Sequence, residues 1–251
     1  MKTKKAFALT IVVFILLCIV MGAIYFRKKH VEIDGEFYKT DVKYIGPNLQ
    51  YTKIEEINKC IEIEGMFLEY ADENDISSLT DFKKLSELNL AHSGVNSSDS
   101  KKIGKFSNLS KLFILDTVID FEGFNNSSLS LFSTLDSEIK NFNSLAQCSS
   151  LRSIVITNSL VDDSIIKSES KYVMKDSRFL DSFDNITELS IYVDNIEDAS
   201  GICEMDSLQK LTVYSDSFPD EAKKILEDKE IKFILKPSFT SIKNKRYSWT
   251  E

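Results

Sequence analysis

Proline and glycine are scarce, three and eight residues in a chain of 251, which disfavours long disordered linkers. Cysteine is sparse too: Cys18, Cys60, Cys148 and Cys203, with no CxxC or Cys/His spacing of the kind zinc needs. A disulfide-stapled fold is disfavoured, because Cys148 and Cys203 fall in sequence units that are not neighbours. His30 and His92 are the only histidines, and His92 reads as a solvated turn residue. No nucleophile elbow, P-loop, dinucleotide fingerprint or HExxH run occurs. The acidic run Asp72-Glu73-Asn74-Asp75 lacks the glycine and distal glutamate of a calcium loop and reads as a solvated turn. Catalysis, a cofactor and a small-molecule substrate are therefore not expected. Positive charge is outweighed over most of the chain: six of its Lys/Arg and none of its Asp/Glu lie in residues 1–30, so the formal net charge of -8 becomes -14 for residues 31–251. An acidic body argues against a nucleic-acid or anionic-lipid surface; its plainest meaning is solubility.

What is present is a repeated apolar spacing. In Phe82–Val95, FKKLSELNLAHSGV, the large apolar residues are Phe82, Leu85, Leu88, Leu90 and Val95. Leu88 and Leu90, two apart, share one face of a short strand. Leu85 and Val95 turn inward on either side, and Ser93 is placed to bond neighbouring backbone. Adding Leu79 gives a six-position template. It recurs as Ile103, Phe106, Leu109, Leu112, Ile114, Ile119; as Leu145, Cys148, Leu151, Ile154, Ile156, Val161; as Leu180, Phe183, Ile186, Leu189, Ile191, Ile196; and as Ile202, Met205, Leu208, Leu211, Val213, Phe218. A weaker copy has Leu129, Phe132 and Ile139 but Thr134 in the strand, and an earlier one is read at Ile61, Ile63 and Leu68. The position of Ser93 is taken by Thr117, Ser137, Ser159, Asp194 and Asp216, small hydrogen-bonding residues outside the template that sets the register. The second strand residues are Ile63, Leu90, Ile114, Thr134, Ile156, Ile191 and Val213. All but one of their steps fall in the range of roughly 20–29 residues that marks leucine-rich repeats. Such units cannot bury an apolar edge alone and must stack. One elongated body results, an α/β repeat with short parallel strands. The exceptional step, from Ile156 to Ile191, is longer and holds an insertion, Asp162–Arg178, expected to project as a surface loop.

The ends divide the chain further. Residues 1–5 are basic. Ala6–Phe26 is an uncharged apolar run long enough to cross a bilayer as a helix, and Arg27, Lys28 and Lys29 stop it. The reading preferred is a signal-anchor with 1–5 cytoplasmic; a cleaved secretory signal and a lipoprotein at Cys18 are the alternatives. All three export the domain, as a single-pass cell-membrane protein with the repeats extracytoplasmic if the anchor is kept. Basic residues on both flanks leave orientation open. Residues 27–50 form a juxtamembrane segment with a hairpin turning at Asp34-Gly35, and 51–235 the repeat domain. Thr52–Glu55 fits a capping box for a short helix that covers the open end of the stack. At the far end a helix is expected over Pro219–Lys229 and a last strand over Ile231–Leu235. Residues 236–251 read as a loose tail.

Residues alternating with the buried pair must face outward from the strands. The three outward columns are Glu87, Lys111, Leu131, Ser153, Glu188, Lys210; Asn89, Phe113, Ser133, Val155, Ser190, Thr212; and Ala91, Leu115, Leu135, Thr157, Tyr192, Tyr214. Phe113, Leu115, Leu131, Leu135 and Val155 would cluster mid-stack, with Tyr192 and Tyr214 beyond them. An exposed apolar strip with aromatics is what a protein-binding face needs.

The LxL strands, the stretch Ile76-Ser77-Ser78-Leu79 and the lead-in Ile33–Ile45, IDGEFYKTDVKYI, resemble bacterial surface leucine-rich repeat proteins of the internalin-like kind. The resemblance covers about residues 31–235. It departs at the missing repeat asparagine, the copy around Thr134 and the insertion. It implies a right-handed solenoid whose concave face carries the strands, and binding of a protein partner without catalysis. A structural envelope spacer with no ligand is the alternative. Charge depletion on the strand face separates the two.

Overall fold

The computed structural model describes residues 19–22, 25–26, 29–33, 36–46, 54–71, 73–80 and 82–238. A parallel sheet of nine strands runs through them: β3 (Tyr44–Ile45), β4 (Gly65–Glu69), β5 (Glu87–Ala91), β7 (Lys111–Leu115), β9 (Leu131–Leu135), β11 (Ser153–Thr157), β15 (Glu188–Tyr192), β17 (Lys210–Tyr214) and β18 (Lys232–Lys236). Adjacent strands pair residue for residue, so Leu88, Leu112, Phe132, Ile154, Leu189 and Leu211 form one row and Leu90, Ile114, Thr134, Ile156, Ile191 and Val213 the next. Both rows are buried. The expected register holds along all six strands, including β9. There Thr134 is fully buried, and its hydroxyl meets that of Ser159 at 3.0 Å, which satisfies a polar group inside an apolar row.

A second sheet completes each coil. Val95, Ile119, Ile139 and Val161 lie in short strands β6 (Gly94–Val95), β8 (Val118–Asp120), β10 (Glu138–Lys140) and β12 (Leu160–Val161), again paired in register. Between the two sheets the chain turns a tight corner at Tyr70, His92, Asp116, Asp136 and Asn158, all left-handed with φ from 43° to 56°. Asp, Asn and His tolerate that conformation better than most residues. The next residue forms a ladder from coil to coil. The hydroxyl of Ser93 accepts the Ala71 N–H at 3.0 Å, that of Thr117 accepts Ser93 N–H at 3.1 Å, that of Ser137 accepts Thr117 N–H at 3.2 Å, and that of Ser159 accepts Ser137 N–H at 3.1 Å. Each of these hydroxyls also donates to the carbonyl two residues before it, at 2.8–2.9 Å. Asp194 continues the role through its carboxylate, which accepts from Tyr172 N–H at 2.8 Å; Asp216 accepts from Ser238 N–H at 3.0 Å but is exposed.

The return segments vary. After β4 the chain returns through α2 (Glu73–Ser78), and after β6 through α3 (Ser97–Ile103), whose N-cap Asn96 accepts from Ser98 N–H and Asp99 N–H at 2.8 and 3.1 Å. After β10 it is a 3-10 turn, Phe142–Gln147. Phe142 is fully buried there, with ring centres 5.9 Å from Phe132, 5.4 Å from Phe179 and 5.4 Å from Phe183. Cys60, Cys148 and Cys203 are buried free thiols, and burial raises Cys148 to about 11.

Two expectations are corrected. The first copy has its strand at β4, not at Ile61–Ile63. Met66 and Leu68 fill the buried pair and Ile63 the position of Leu85, while Ile61 is 68% exposed. The run Met66-Phe67-Leu68 has no polar residue between its apolar ones, so alternation does not reveal which side faces in. With Leu68 in place, the first step, Leu68 to Leu90, has the same length as that from Thr134 to Ile156. The insertion, expected as a projecting loop, is instead a hairpin of β13 (Ile165–Ser168) and β14 (Lys171–Met174) built into the second sheet. β13 pairs antiparallel with β12, and β14 parallel with β16 (Asn195–Ile196). Ile165 and Met174 are core residues and Val173 is buried beside them. The second sheet thus gains two strands at a point where β11 still pairs directly with β15.

At the N-terminal end, β1 (His30–Ile33) and β2 (Glu36–Lys39) make the expected antiparallel hairpin, and Val31, Ile33 and Ile45 join the same core as the repeats. The residues of its turn, Asp34-Gly35, and those of the capping box up to Lys53 lie outside the described residues. A short helix α1 (Ile54–Ile57) follows, with Ile57 fully buried. After α4 (Ser200–Glu204), the last helix α5 (Asp220–Asp228) begins behind Pro219. Among the described residues no helix is long and apolar enough to cross a membrane. Most of Ala6–Phe26 and nearly all of 236–251 lie outside them.

Candidate functional site: the outward face of the nine-stranded sheet

Register fixes the face. Lys111, Phe113 and Leu115 lie beside Leu131, Ser133 and Leu135, which lie beside Ser153, Val155 and Thr157. Glu188, Ser190 and Tyr192 follow on β15, then Lys210, Thr212 and Tyr214 on β17. The sheet therefore brings Phe113, Leu115, Leu131, Leu135 and Val155 into one patch on three adjacent strands, with Tyr192 and Tyr214 at its side. None of the seven is buried. Leu135 is 39% exposed, and the other six are half-buried rather than fully exposed. The difference has a simple cause: strands about 4.8 Å apart pack each outward side chain against its neighbours on both sides.

From β5 to β17 charge is confined to one column; beyond those strands Glu69 stands beside Ala91 and Lys236 beside Tyr214. Glu87 and Lys111 pair across β5 and β7 at 3.6 Å, and Glu188 and Lys210 across β15 and β17 at 3.4 Å. The other two columns carry no charge from β5 to β17: Asn89, Phe113, Ser133, Val155, Ser190 and Thr212, then Ala91, Leu115, Leu135, Thr157, Tyr192 and Tyr214. Six strands at about 4.8 Å make this uncharged surface roughly 24 Å wide. The tyrosine end is ordered by stacking. Tyr192 and Tyr214 lie with ring centres 4.5 Å apart at 14°, and Lys236 Nζ sits 5.2 Å from the Tyr214 ring and 3.1 Å from its hydroxyl. Burial, then the neighbouring Tyr214, raises the Tyr192 phenol above its ordinary value.

Two members of the face were missed. Phe67 of β4 stands beside Asn89, and Ile234 of β18 beside Thr212. The first was lost with the misplaced strand. The second was accessible from the step between Val213 and Leu235, which equals the one between Ile191 and Val213. His92 is more than a solvated turn: its Nδ1 lies 2.9 Å from Asp116 and its ring stacks on Tyr70 at 5.1 Å.

No family model matches the chain, and no curated protein does. Among solved structures it is similar to an internalin of Listeria monocytogenes, at 14% identity and TM-score 0.47 over 81% of this chain and 64% of that one. It is also similar to internalin C2 of Listeria monocytogenes, at 19% identity and TM-score 0.49 over 78% of this chain and 76% of that one. A third is a leucine-rich repeat protein of Leptospira interrogans, at 14% identity and TM-score 0.46 over 78% of this chain and 46% of that one. The chain thus spans under two thirds of the first and third of these. The strands' own register carries the fold: coils of near-constant length, each with an inward apolar pair and a ladder residue at its corner, make this a leucine-rich-repeat-like solenoid.

Proposed function

We propose that the protein is an exported, membrane-anchored binding module that holds a protein partner on the outward face of the nine-stranded sheet. The observation that carries this reading is the uncharged surface around Phe113, Leu115, Leu135 and Val155, bordered by paired charges in a single column. Interface centres are depleted in charge and enriched in aromatics, and a spacer has no use for such a patch. In this reading Ala6–Phe26 is the anchor, 27–50 leads from the membrane into the stack, 51–235 is the recognition body and 236–251 a tail. N-terminal sequencing of the mature protein should return the original start; a new start at Ala23 or Cys18 overturns the anchor.

The face is tested with Phe113→Ser and Leu115→Ser combined. Because both side chains are half-buried, the pair should cost about 1–2 kcal/mol of stability, more than a fully exposed pair would. Capture of a partner from the native membrane by the soluble 31–251 fragment should weaken by about 2 kcal/mol or more, measured well below the melting transition. Unchanged capture by the folded variant would favour the spacer.

A further inference from the structure

The corner between the two sheets holds a groove separate from the outward face. Two open cavities of about 530 and 690 Å³ share Tyr70, His92 and Val118 and so form one trough. They differ in character. The larger is floored by Ala71, Gly94 and Val95, and Tyr70 and Val118 at its wall are 52% and 46% exposed, large apolar surface left in solvent; Asn96, Asp120 and Lys140 complete its rim. The smaller is lined by Asp116, Asp136 and Glu138, and its far wall is Lys167 and Tyr172 of the inserted hairpin, with the ammonium 5.2 Å from the ring. The hairpin, by replacing a loop with two strands of the second sheet, thus closes one end of the trough.

The left-handed corner explains why aspartate and histidine are tolerated here, but it does not explain Glu138, Tyr172 or the exposed Tyr70 and Val118. Some of the polar surface is already partnered: Lys140 pairs with Glu138 at 3.2 Å, and His92 Nδ1 lies 2.9 Å from Asp116. Asp136, exposed between them, has no ion pair among the described residues. No three His, Cys, Asp or Glu side chains among the described residues converge as a metal ion would require. Together the cavities are lined by four carboxylates, Asp116, Asp120, Asp136 and Glu138, against two ammonium groups, Lys140 and Lys167, so an apolar trough that continues into one of net negative charge complements an extended peptide with an apolar residue followed by basic ones. Successive residues of such a peptide advance about 3.3 Å, so five or six match the roughly 19 Å from the coil of Tyr70 to that of Asn158.

We propose that this corner groove binds an extended cationic peptide segment, its apolar residue on Tyr70 and Val118 and its lysine or arginine on Asp136 and Asp116. The proposal does not depend on the outward face, since neither Phe113 nor Leu115 lines the groove.

The test is fluorescence anisotropy with the full chain at 0.15 M salt and three labelled hexapeptides: Phe-Ser-Lys-Ser-Lys-Ser, Phe-Ser-Glu-Ser-Glu-Ser and Ser-Ser-Lys-Ser-Lys-Ser. The first should bind at least 10-fold more tightly than either of the others. Two variants address the two halves. A β-carbon at Gly94 would have no atom within 4 Å, so a side chain can start there, and Gly94→Phe places a ring in the apolar trough. Asp116→Asn with Asp136→Asn removes charge while keeping a residue type suited to the left-handed corner. Each should weaken the first peptide at least 10-fold, whereas Glu221→Gln with Asp228→Asn on α5 should change it less than 2-fold. Absence of saturable binding, equal binding of the glutamate peptide, or an equal loss in the α5 variant would overturn the proposal and leave only diffuse attraction to an acidic body. Should Gly94→Phe fail to fold, the Asp116/Asp136 variant against the α5 control decides alone.

Discussion

Leu112→Ala should destabilise the protein by about 2–5 kcal/mol in a denaturant titration, with the coil path otherwise intact. Leu112 is fully buried in the row between Leu88 and Phe132, and its neighbours in the row are fixed by paired backbone on both sides. A sheet cannot collapse into the space a missing side chain leaves, because its strand spacing is set by hydrogen bonds. The upper part of the range is therefore expected. A loss under about 1 kcal/mol would mean that the side chain is not in the packed interior and that the register is wrong.

Phe142→Ala should cost about 3–5 kcal/mol and should loosen more than its own coil. Its ring touches Phe132 of the preceding strand row and both Phe179 and Phe183, which belong to the return segment beyond the inserted hairpin. It is an aromatic contact that spans the longest step of the repeat. Hydrogen exchange should therefore accelerate on both sides of the hairpin, in β10 and β15 alike. Acceleration restricted to residues 138–150 would show that the two sides are held together by the sheets alone.

The inward rows were legible in the sequence because apolar residues two apart, repeated at a near-constant step, leave little freedom in how the chain coils. Even Thr134 kept its place, since one satisfied hydroxyl is easier to accommodate than a shifted strand, which would turn every outward residue of β9 inward. The columns of the candidate face followed directly from that register. What was not legible came from signals with no periodicity. Met66-Phe67-Leu68 is apolar throughout, so the first strand was placed too early. In the second sheet β6, β8 and β10 hold only two or three residues each, too few for alternation to show. Val95 and its equivalents were recognised as inward, but nothing in single positions says that they pair. The hairpin was read as a loop because Ile165 and Val173 answer to partners in other strands, not to the repeat template. The half-burial of Phe113 and Leu115 likewise depends on neighbours across strands, which a linear pattern does not weigh.

The ladder of corner hydroxyls points in one direction. Ser93 serves the backbone of Ala71, Thr117 that of Ser93, Ser137 that of Thr117 and Ser159 that of Ser137, so each hydroxyl satisfies an N–H made earlier in the chain. On a ribosome, the corners at Ala71, Ser93, Thr117 and Ser137 are each left with an open donor until the following coil has been synthesised, and each of these coils is completed by the next. Shortening the chain back to any of these four coils strips the partner from the last remaining corner, whereas shortening it from the N-terminal side leaves the surviving ones among them bonded. The stack is in this sense a structure that seals itself behind the growing end.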